Sequence, residues 1–381
     1  MTEETYNPYF VRDVHAAMAQ ELFSFGSGFS GAGAADLGYG LAGGRPVFAI
    51  ERDPEAVRTF RRNFGENSVE HRDFREVAAS PEIIDRILDQ GGLRRGELDI
   101  LHMSPPCNEY CRLGGGPREG GTAELIFDVV TMAKVVRPRV LIIENVPELG
   151  GRYRSYLEAA LDLLCFDETG RRIYYAHFME LKAEDYGVAQ RRHRLFAIAV
   201  RVDVSHLAKI NSDIDVLLMF PAPTHAPIPL EVAFAALPQS EEELHPFREA
   251  MATSNLGHLA RRIPHDPYRW MTPRRAGLGK NRFTTVRAAI RLPGPTLTAS
   301  GQQPDGRSGV LHSFEHRKLS LREMMRSSSF PDDFTLTGTV GQAATRIGMC
   351  VPPLMAKAVA QAIYEGVLKP YHDSLRGPDL E

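Results

Sequence analysis

Short apolar runs alternate with amphipathic stretches between about residues 20 and 200. This alternation is typical of the strands and helices of an α/β fold with a mostly parallel, doubly wound sheet. The apolar runs predict strands at Glu21 to Phe25, Pro46 to Glu51, Leu98 to Met103, Val140 to Glu144 and Leu195 to Val200. In such a sheet, the loops that follow the parallel strands share one edge, which is where ligands bind.

The regular pattern ends near Val200. A Pro-rich segment follows, and the residues from His245 to Arg317 show little periodicity. Helical periodicity resumes at Leu319 and returns through Pro353 to Tyr364. We therefore predict a regular domain over residues 1–205, a smaller irregular domain over 206–317, and a C-terminal segment, 318–381, that completes the first domain.

Charge modifies this picture in one place. The 381 residues include 45 Lys and Arg against 48 Asp and Glu, a net charge of −3, so the whole chain is not a basic clamp for nucleic acid. The stretch from His245 to Arg317 nevertheless holds twelve basic residues against four acidic ones. A solvated basic loop would explain this count alone, but the interleaved Tyr268, Trp270 and Phe283 favour nucleic-acid binding.

No secretory leader and no apolar run of about 18 residues is found in the sequence, so we expect a cytoplasmic protein with no membrane partner. The four cysteines are Cys107, Cys111, Cys165 and Cys350, and their spacing does not complete a zinc site. We expect reduced thiols and no metal.

Three features indicate an adenosine-containing cofactor. Glycines follow the first strand in Phe29-Ser-Gly-Ala-Gly33, where the backbone can approach a ligand closely. Tight packing alone would also explain such a turn. Glu51 lies about 20 residues further on, at the end of the second strand, and can accept hydrogen bonds from ribose hydroxyls. Asp73 can bond an adenine amino group.

Two reactive side chains follow the next two strands. Two prolines precede Cys107 in Ser104-Pro-Pro-Cys107, and they fix the thiol at the ligand-binding edge. A buried inert cysteine is the alternative. Glu144 ends the strand that follows and can share a pocket with the thiol. Further on, Gln190-Arg-Arg-His-Arg194 offers arginines that can hold phosphates, unless it is a surface charge run.

These residues together resemble the DNA (cytosine-5) methyltransferases that use S-adenosyl-L-methionine. FSGAGA is similar to the family's first motif, IERD to its second, SPPC to its nucleophile motif, IIENV to its glutamate motif and YGVAQRRHR to its arginine motif. LSLREMMRSSSFPDDF and RIGMCVPPLMAKAVAQAI resemble the two closing motifs. The resemblance implies a Rossmann-like methyltransferase sheet and a variable target-recognition domain in the basic, irregular stretch.

The resemblance also implies a mechanism. Cys107 attacks C6 of a cytosine that has left the duplex stack, Glu144 bonds or protonates N3, and Arg192 and Arg194 steady the base and its phosphate. The products are 5-methylcytosine and S-adenosyl-L-homocysteine. The implied partners are double-stranded DNA and, at the level of a restriction–modification system, a cognate endonuclease. We expect the enzyme to act as a monomer.

Residue roles carry over by motif position. The residues expected at the cofactor are Phe29, Gly31, Ala32, Gly33, Glu51, Arg52, Asp73, Phe74, Pro106, Leu125, Met349 and Cys350. Those expected at DNA are Gln190, Arg274, Arg275, Lys280 and Arg282. The chain departs from the family at Asn108, Glu109 and Cys111 after the nucleophile, at Met349 and Cys350 in the last motif, and at Arg52.

Two other functions compete with this hypothesis. One is an RNA cytosine-5 methyltransferase of the same fold, and the other is a non-catalytic DNA-binding regulator derived from the enzyme. A basic recognition region of about a hundred residues favours duplex DNA over RNA. The presence of Cys107, Glu144, Gln190, Arg192 and Arg194 together favours an active enzyme.

Overall fold

A computed structural model describes residues 6–110, 116–118, 120–279, 285–299, 301–304 and 306–376. The strands are β1 Phe23–Gly28, β2 Gly44–Glu51, β3 Glu70–His71, β4 Ile100–Met103, β5 Val140–Asn145, β6 Tyr174–Lys182, β7 Gln190–Arg191, β8 His193–Arg201, β9 Val286–Arg287, β10 Gly294–Pro295 and β11 Val310–Leu311.

The α-helices are α1 Val11–Met18, α2 Ala34–Leu41, α3 Pro54–Phe64, α4 Phe74–Ala78, α5 Pro81–Gln90, α6 Leu125–Val136, α7 Pro147–Gly150, α8 Arg154–Cys165, α9 Val202–Ser205, α10 Leu230–Ala233, α11 Glu241–Thr253, α12 Asn255–Arg262, α13 Leu321–Ser327, α14 Val340–Met349, α15 Pro353–Ile363 and α16 Lys369–Arg376. Short 3₁₀ helices occur at Thr122–Glu124, Ala183–Tyr186 and Ile214–Met219, and a π-helical turn at Tyr364–Leu368.

The chain divides into two compact units. The larger unit comprises Val14–Leu181, His193–Ala222 and the C-terminal part from Ala356. The smaller unit comprises the N-terminal part up to Asp13, Lys182–Arg192 and Pro223–Met355. These boundaries differ from the predicted ones, because residues 318–355 group with the smaller unit rather than with the sheet.

The larger unit is built on a seven-stranded sheet in the order β3-β2-β1-β4-β5-β8-β6. Strands β1 to β5 pair in parallel with their neighbours, and β8 runs antiparallel to β5. Every residue of β4 and β5 is buried, as expected for central strands covered by helices on both faces. The predicted α/β class and all five predicted strands are confirmed.

Two strands of this sheet were not predicted. Strand β3 has two residues, too few for a periodic pattern. Strand β6 lies at the sheet edge, and most of its residues are half-buried, so its sequence, YYAHFMELK, lacks a clean alternation. Edge positions of this kind leave a weak signal in the sequence.

Helix α3 shows how local sequence sets the elements around the sheet. The Asp53 side chain accepts a hydrogen bond from Ala56 N, Pro54 occupies the first turn, and Gly65 follows the last residue. These are the residue types that start and stop a helix. The helix therefore begins three residues after Glu51, at the ligand-binding edge of the sheet.

The smaller unit has little regular structure around an apolar cluster of Met251, Leu256, Ala260, Ile263 and Leu311. Its two strand pairs, β7 with β10 and β9 with β11, have two residues on each side. Helix α13 begins with a capping box between Ser320 and Glu323. Ion pairs from Arg317 to Glu323 and from Arg322 to Glu243 attach this helix to the rest of the unit, which explains the shifted boundary.

One helical stretch, Val340–Arg376, is long and apolar enough by length and composition to cross a membrane. However, 67% of its most apolar window is buried inside the protein. The stretch is also interrupted between Met349 and Pro353, where α14 ends and α15 begins. Such burial is typical of a core helix of a globular protein, so the stretch is weak evidence for a membrane span.

Candidate active site

The loop that carries Cys107 follows β4 at the carboxyl edge of the sheet. Ser104 N donates to Gly28 O at 3.3 Å, which ties the start of the loop to the end of β1. Asn145 Nδ2 donates to Pro105 O at 3.0 Å, which ties its centre to the end of β5. The loop is therefore held to both strands that flank β4, and Cys107 is half-buried at its end.

Glu144 lies in β5, next to β4 in the sheet, and is buried. Arg194 of β8, the neighbour on the other side, places its Nε 3.1 Å from Glu144 Oε1. Their side chains are 14% and 9% exposed, so water screens this ion pair little. The pair orients the carboxylate at the edge where Cys107 also lies, as predicted for residues that follow adjacent parallel strands.

Glu51 and Gly31 form the centre of the candidate cofactor site. One carboxylate oxygen of Glu51 accepts from Gly31 N at 2.8 Å, and the other accepts from Arg52 N and Asp53 N, each at 2.8 Å. Gly31 has a φ of +55°, and a Cβ there would meet no atom within 4 Å. The backbone beside Glu51 therefore borders open space that a ligand can enter, which fits the predicted nucleoside group.

The expected adenine contacts lie around this space. The rings of Phe29 and Phe74 are 4.3 Å apart between centroids. Asp73 accepts from Arg75 N and pairs with the exposed Arg52 guanidinium, whose Nη1 is 3.3 Å from Asp73 Oδ2. Of the other expected residues in this unit, Ala32, Gly33 and Leu125 are buried and Pro106 is half-buried. Their contact with a cofactor stays a prediction.

Gln190 and Arg192 lie in the smaller unit and are buried. Gln190 donates to Ser328 Oγ at 2.9 Å and accepts from Leu297 N at 3.2 Å. Arg192 donates to Leu297 O at 2.9 Å and to Gly348 O at 3.1 Å. In the structure both side chains join segments within their unit, and their predicted roles at DNA and at the base stay predictions.

The remaining predicted residues also fall in the smaller unit. Met349 is 63% exposed and Cys350 is half-buried. Arg274 and Arg275 are exposed, and Arg275 Nη1 donates to Trp270 O at 2.7 Å. Lys280 and Arg282, like Cys111, lie outside the described residues.

A buried histidine beneath the loop that carries Cys107 was not predicted. His102 Nδ1 is 3.0 Å from Tyr39 Oη, and its Nε2 is 2.9 Å from Ser104 Oγ. Burial lowers the pKa of His102 to about 3, so the ring is neutral and supports the loop through hydrogen bonds rather than charge. The signal in the sequence was a polar residue within the apolar strand that precedes SPPC.

The sheet, the glycine-bordered space and the thiol and carboxylate at its carboxyl edge define an α/β enzyme that binds a nucleoside-containing cofactor. The family model for C-5 cytosine-specific DNA methylase matches residues 23–365. The chain therefore belongs to the C-5 cytosine-specific DNA methylase family, and it is a DNA (cytosine-5) methyltransferase.

Relatives in sequence are type II methyltransferases. The chain is 28% identical over 356 residues to M.PspPI of Psychrobacter sp., covering 88% of this chain and 77% of that one. It is 28% identical over 333 residues to M.BbvI of Brevibacillus brevis, covering 83% and 81%. Among solved structures, S. pombe Dnmt2 methyltransferase has a similar fold, with a TM-score of 0.60, 14% identity, and coverage of 92% and 99%.

Family membership has two direct consequences. It implies methylation of cytosine in DNA that depends on S-adenosyl-L-methionine, and it favours the DNA enzyme over the RNA enzyme and the non-catalytic regulator. The likeness to type II methyltransferases agrees with a place in a restriction–modification system.

Proposed function

We propose that this enzyme methylates C5 of a flipped-out cytosine in a short duplex DNA sequence through a covalent bond between Cys107 Sγ and C6. The observation that supports this most directly is the fixed Ser104–Cys107 loop beside Glu144. Asn145, the residue after Glu144, donates to Pro105 O, two residues before Cys107. A planar ring at this edge can meet the thiol on its face and the carboxyl group at its rim.

The chemistry follows from the electron demand of the ring. Cytosine C5 is a poor nucleophile until the Cys107 thiolate adds to C6, which breaks the aromaticity and moves electron density to C5. Glu144 takes the position to protonate or bond N3 as that density develops, and Arg194 holds its carboxyl group in place. S-adenosyl-L-methionine supplies an electrophilic methyl group when bound.

The adduct then resolves by elimination. A base, which we propose to be reached through water, removes the C5 proton, the C6–S bond breaks and the electron pair of that bond returns to Cys107. Because the thiol must approach the ring face, the cytosine has to leave the base stack. We propose that Arg192 and Arg194 steady the extruded nucleotide.

The cofactor residues are assigned by their motif positions and by the open space beside Gly31. Glu51 holds the ribose, Asp73 reads the adenine amino group, and Phe29 contacts the adenine ring. The further proposed contacts are Gly31, Ala32, Gly33, Arg52, Phe74, Pro106, Leu125, Met349 and Cys350. In the smaller unit, we propose that Gln190, Arg274, Arg275, Lys280 and Arg282 contact DNA.

Base-resolution sequencing of cytosine modification tests this proposal. DNA from cells that express the protein is compared with DNA from cells that express the Cys107→Ala variant at the same level. We expect modified cytosines within one short motif with the wild type and none with the variant. Unmodified DNA from cells that contain folded wild-type protein, or equal modification in both strains, would overturn the proposal. A cognate endonuclease acting on the same motif is the partner we propose, with the methyltransferase a monomer located at the nucleoid.

A further inference from the structure

Glu109, which departs from the family pattern, and its neighbour Tyr110 both bond to the backbone of one residue. Glu109 and Tyr110 stand two and three positions after Cys107, in a turn in which Tyr110 N donates to Cys107 O at 3.0 Å. Glu109 Oε2 accepts from Ala123 N at 2.9 Å, and Tyr110 Oη donates to Ala123 O at 2.7 Å. The turn that follows Cys107 is therefore hydrogen-bonded to both the backbone N–H and the backbone carbonyl of Ala123.

Ala123 lies where a helical run begins. The 3₁₀ helix Thr122–Glu124 leads directly into α6, and its N-cap, Gly121, offers no side chain to satisfy the first N–H groups. The Glu109 carboxylate fills this role from the nucleophile turn. A carboxylate is well suited to this place, because the exposed N–H groups at a helix start carry partial positive charge.

The same segment also meets the candidate cofactor site. Arg75, which follows Phe74, donates from Nη2 to Gly121 O at 2.9 Å. Leu125, a proposed wall of the cofactor site, comes two residues after Ala123. Residues 121–125 are therefore bonded to the nucleophile turn on one side and to the neighbour of Phe74 on the other.

We propose that Glu109 and Tyr110 are positioning residues, which lock the Cys107 turn to the start of the cofactor-site helix and so hold the thiol at a fixed place relative to the methyl donor. This inference rests on the proposed role of Cys107 as nucleophile. It also gives the negative charge at Glu109 a function, because the carboxylate accepts a hydrogen bond from Ala123 N at the start of the helical run. Breaking either bond should affect catalysis rather than cofactor affinity, because neither side chain belongs to the proposed cofactor contacts.

Gly121 supplies a second way to break this lock. Its φ of −79° is open to any residue, but a Cβ at this position would collide with both carboxylate oxygens of Glu109. The carboxylate is the far end of a flexible side chain and can move away, but Arg118 O, a backbone atom that accepts from Gly121 N at 3.0 Å, lies 2.8 Å from the same Cβ, so the backbone at Gly121 or Arg118 must shift as well. Gly121→Ala should therefore dislodge Glu109 without changing it.

The experiment measures single-turnover transfer of a tritiated methyl group from saturating S-adenosyl-L-methionine to genomic DNA of a strain that lacks cytosine methylation. Active protein is counted by calorimetric titration with S-adenosyl-L-homocysteine. We expect Glu109→Ala to lower the rate by about tenfold or more, the scale on which small misplacements act, with cofactor affinity unchanged. Glu109→Gln, whose amide oxygen can still accept from Ala123 N, should recover most of the rate, and Tyr110→Phe should show a smaller loss.

A double-mutant cycle separates positioning from general damage. Gly121→Ala should lower the rate at least as much as Glu109→Ala, because it also shifts the backbone, and the double variant should be no slower than Gly121→Ala, in which the Glu109 bond is already lost. The matched control is Glu124→Ala, which removes a neighbouring negative charge and should leave the rate unchanged. Additive losses, no rescue by Gln, or an equal loss in Glu124→Ala would overturn the inference. Wild-type protein that fails to label DNA would instead contradict the proposed function.

Discussion

The sheet edge of the larger unit and the arginines of the smaller unit were both predicted from sequence, but the two predictions have different physical foundations. At the sheet edge, Glu51, Cys107 and Glu144 each follow or end a strand, and the strands that lead to Cys107 and Glu144 are adjacent in the sheet. In the smaller unit, the prediction came from a count of charges in an irregular segment. A count gives the number of arginines but not their burial.

The structure divides these arginines into distinct groups. Arg287 is fully buried and donates to the carbonyl oxygens of Ala260, Ile263, His312 and Glu315. Arg317 is buried in ion pairs with Glu315 and Glu323. Others are exposed, and these are Arg248, Arg261, Arg262, Arg269, Arg274, Arg275, Arg291 and Arg307. Part of the positive charge therefore stabilises the unit and is not available to DNA.

The largest effect should come from the sheet edge. Replacing Glu144 by Gln should lower the rate of methyl transfer by about 10²- to 10⁴-fold, because an amide cannot donate the proton that N3 requires. The rate is measured by incorporation of tritiated methyl groups into unmethylated DNA. The control is Glu158→Gln, a change on α8 at a residue that forms an exposed pair with Arg154. A rate within a few-fold of wild type would show that Glu144 does not take part in methyl transfer.

Arg287 offers the strongest test in the smaller unit. Burial lowers the pKa of its guanidinium to about 10, so it stays charged at neutral pH and its bonds to carbonyl oxygens are charge-assisted. Arg287→Met should lower the free energy of unfolding by about 3 kcal/mol or more, because several buried carbonyls lose their donor. Urea denaturation measures this change, with the exposed Arg262→Met as control. Equal stability of the two variants would contradict the distinction between the buried Arg287 and the exposed arginines.

A smaller effect is expected at Asp36, in the first turn of α2. Burial raises the pKa of this carboxyl group to about 7, Ser27 Oγ donates to its Oδ1 at 2.6 Å, and its Oδ2 has no hydrogen-bond partner within the described part of the chain. The folded state therefore keeps a proton that the unfolded state loses above pH 4, so stability falls as pH rises and levels off above pH 7.

Asp36→Asn removes this dependence. Between pH 5 and pH 8 the free energy of unfolding of the wild type should fall by on the order of 1–3 kcal/mol relative to that of the variant. Urea denaturation at each pH measures this difference. Asp162→Asn, at an exposed position of α8, is the matched control and should follow the wild-type profile. Parallel profiles of wild type and Asp36→Asn would contradict the raised pKa.

The smallest effect is expected at the exposed Arg275. Arg275→Gln should weaken binding to a random-sequence DNA duplex and reduce the slope of log affinity against log salt by about 1, because one phosphate contact is lost. Thermal unfolding should be unchanged, in contrast to Arg287→Met. Arg171→Gln, at an exposed turn of the larger unit, is the control. An unchanged salt slope would remove Arg275 from the proposed DNA surface.

Prediction from sequence was most successful for strands at central positions of the sheet, where burial leaves a clear apolar pattern. The five apolar runs became strands of the sheet because strands that are covered on both faces need mostly apolar residues. The two unpredicted strands of the seven-stranded sheet, β3 and β6, lie at its two edges, and their burial is too uneven to produce a pattern. Residues 318–355 were predicted, from their order along the chain, to complete the first domain, whereas in the structure they group with the smaller unit, to which ion pairs from Arg317 and Arg322 connect them.

The sequence by itself determined the α/β class, the order of the strands that carry Cys107 and Glu144, and membership of the methylase family, because these depend on periodicity and on residues at fixed places relative to strands. Tertiary structure decided which arginines are buried, that His102 supports the nucleophile loop, and that Glu109 bonds Ala123. These facts depend on which segments pack together across many intervening residues. Side-chain burial and hydrogen-bond partners are properties of that packing, so local sequence does not specify them.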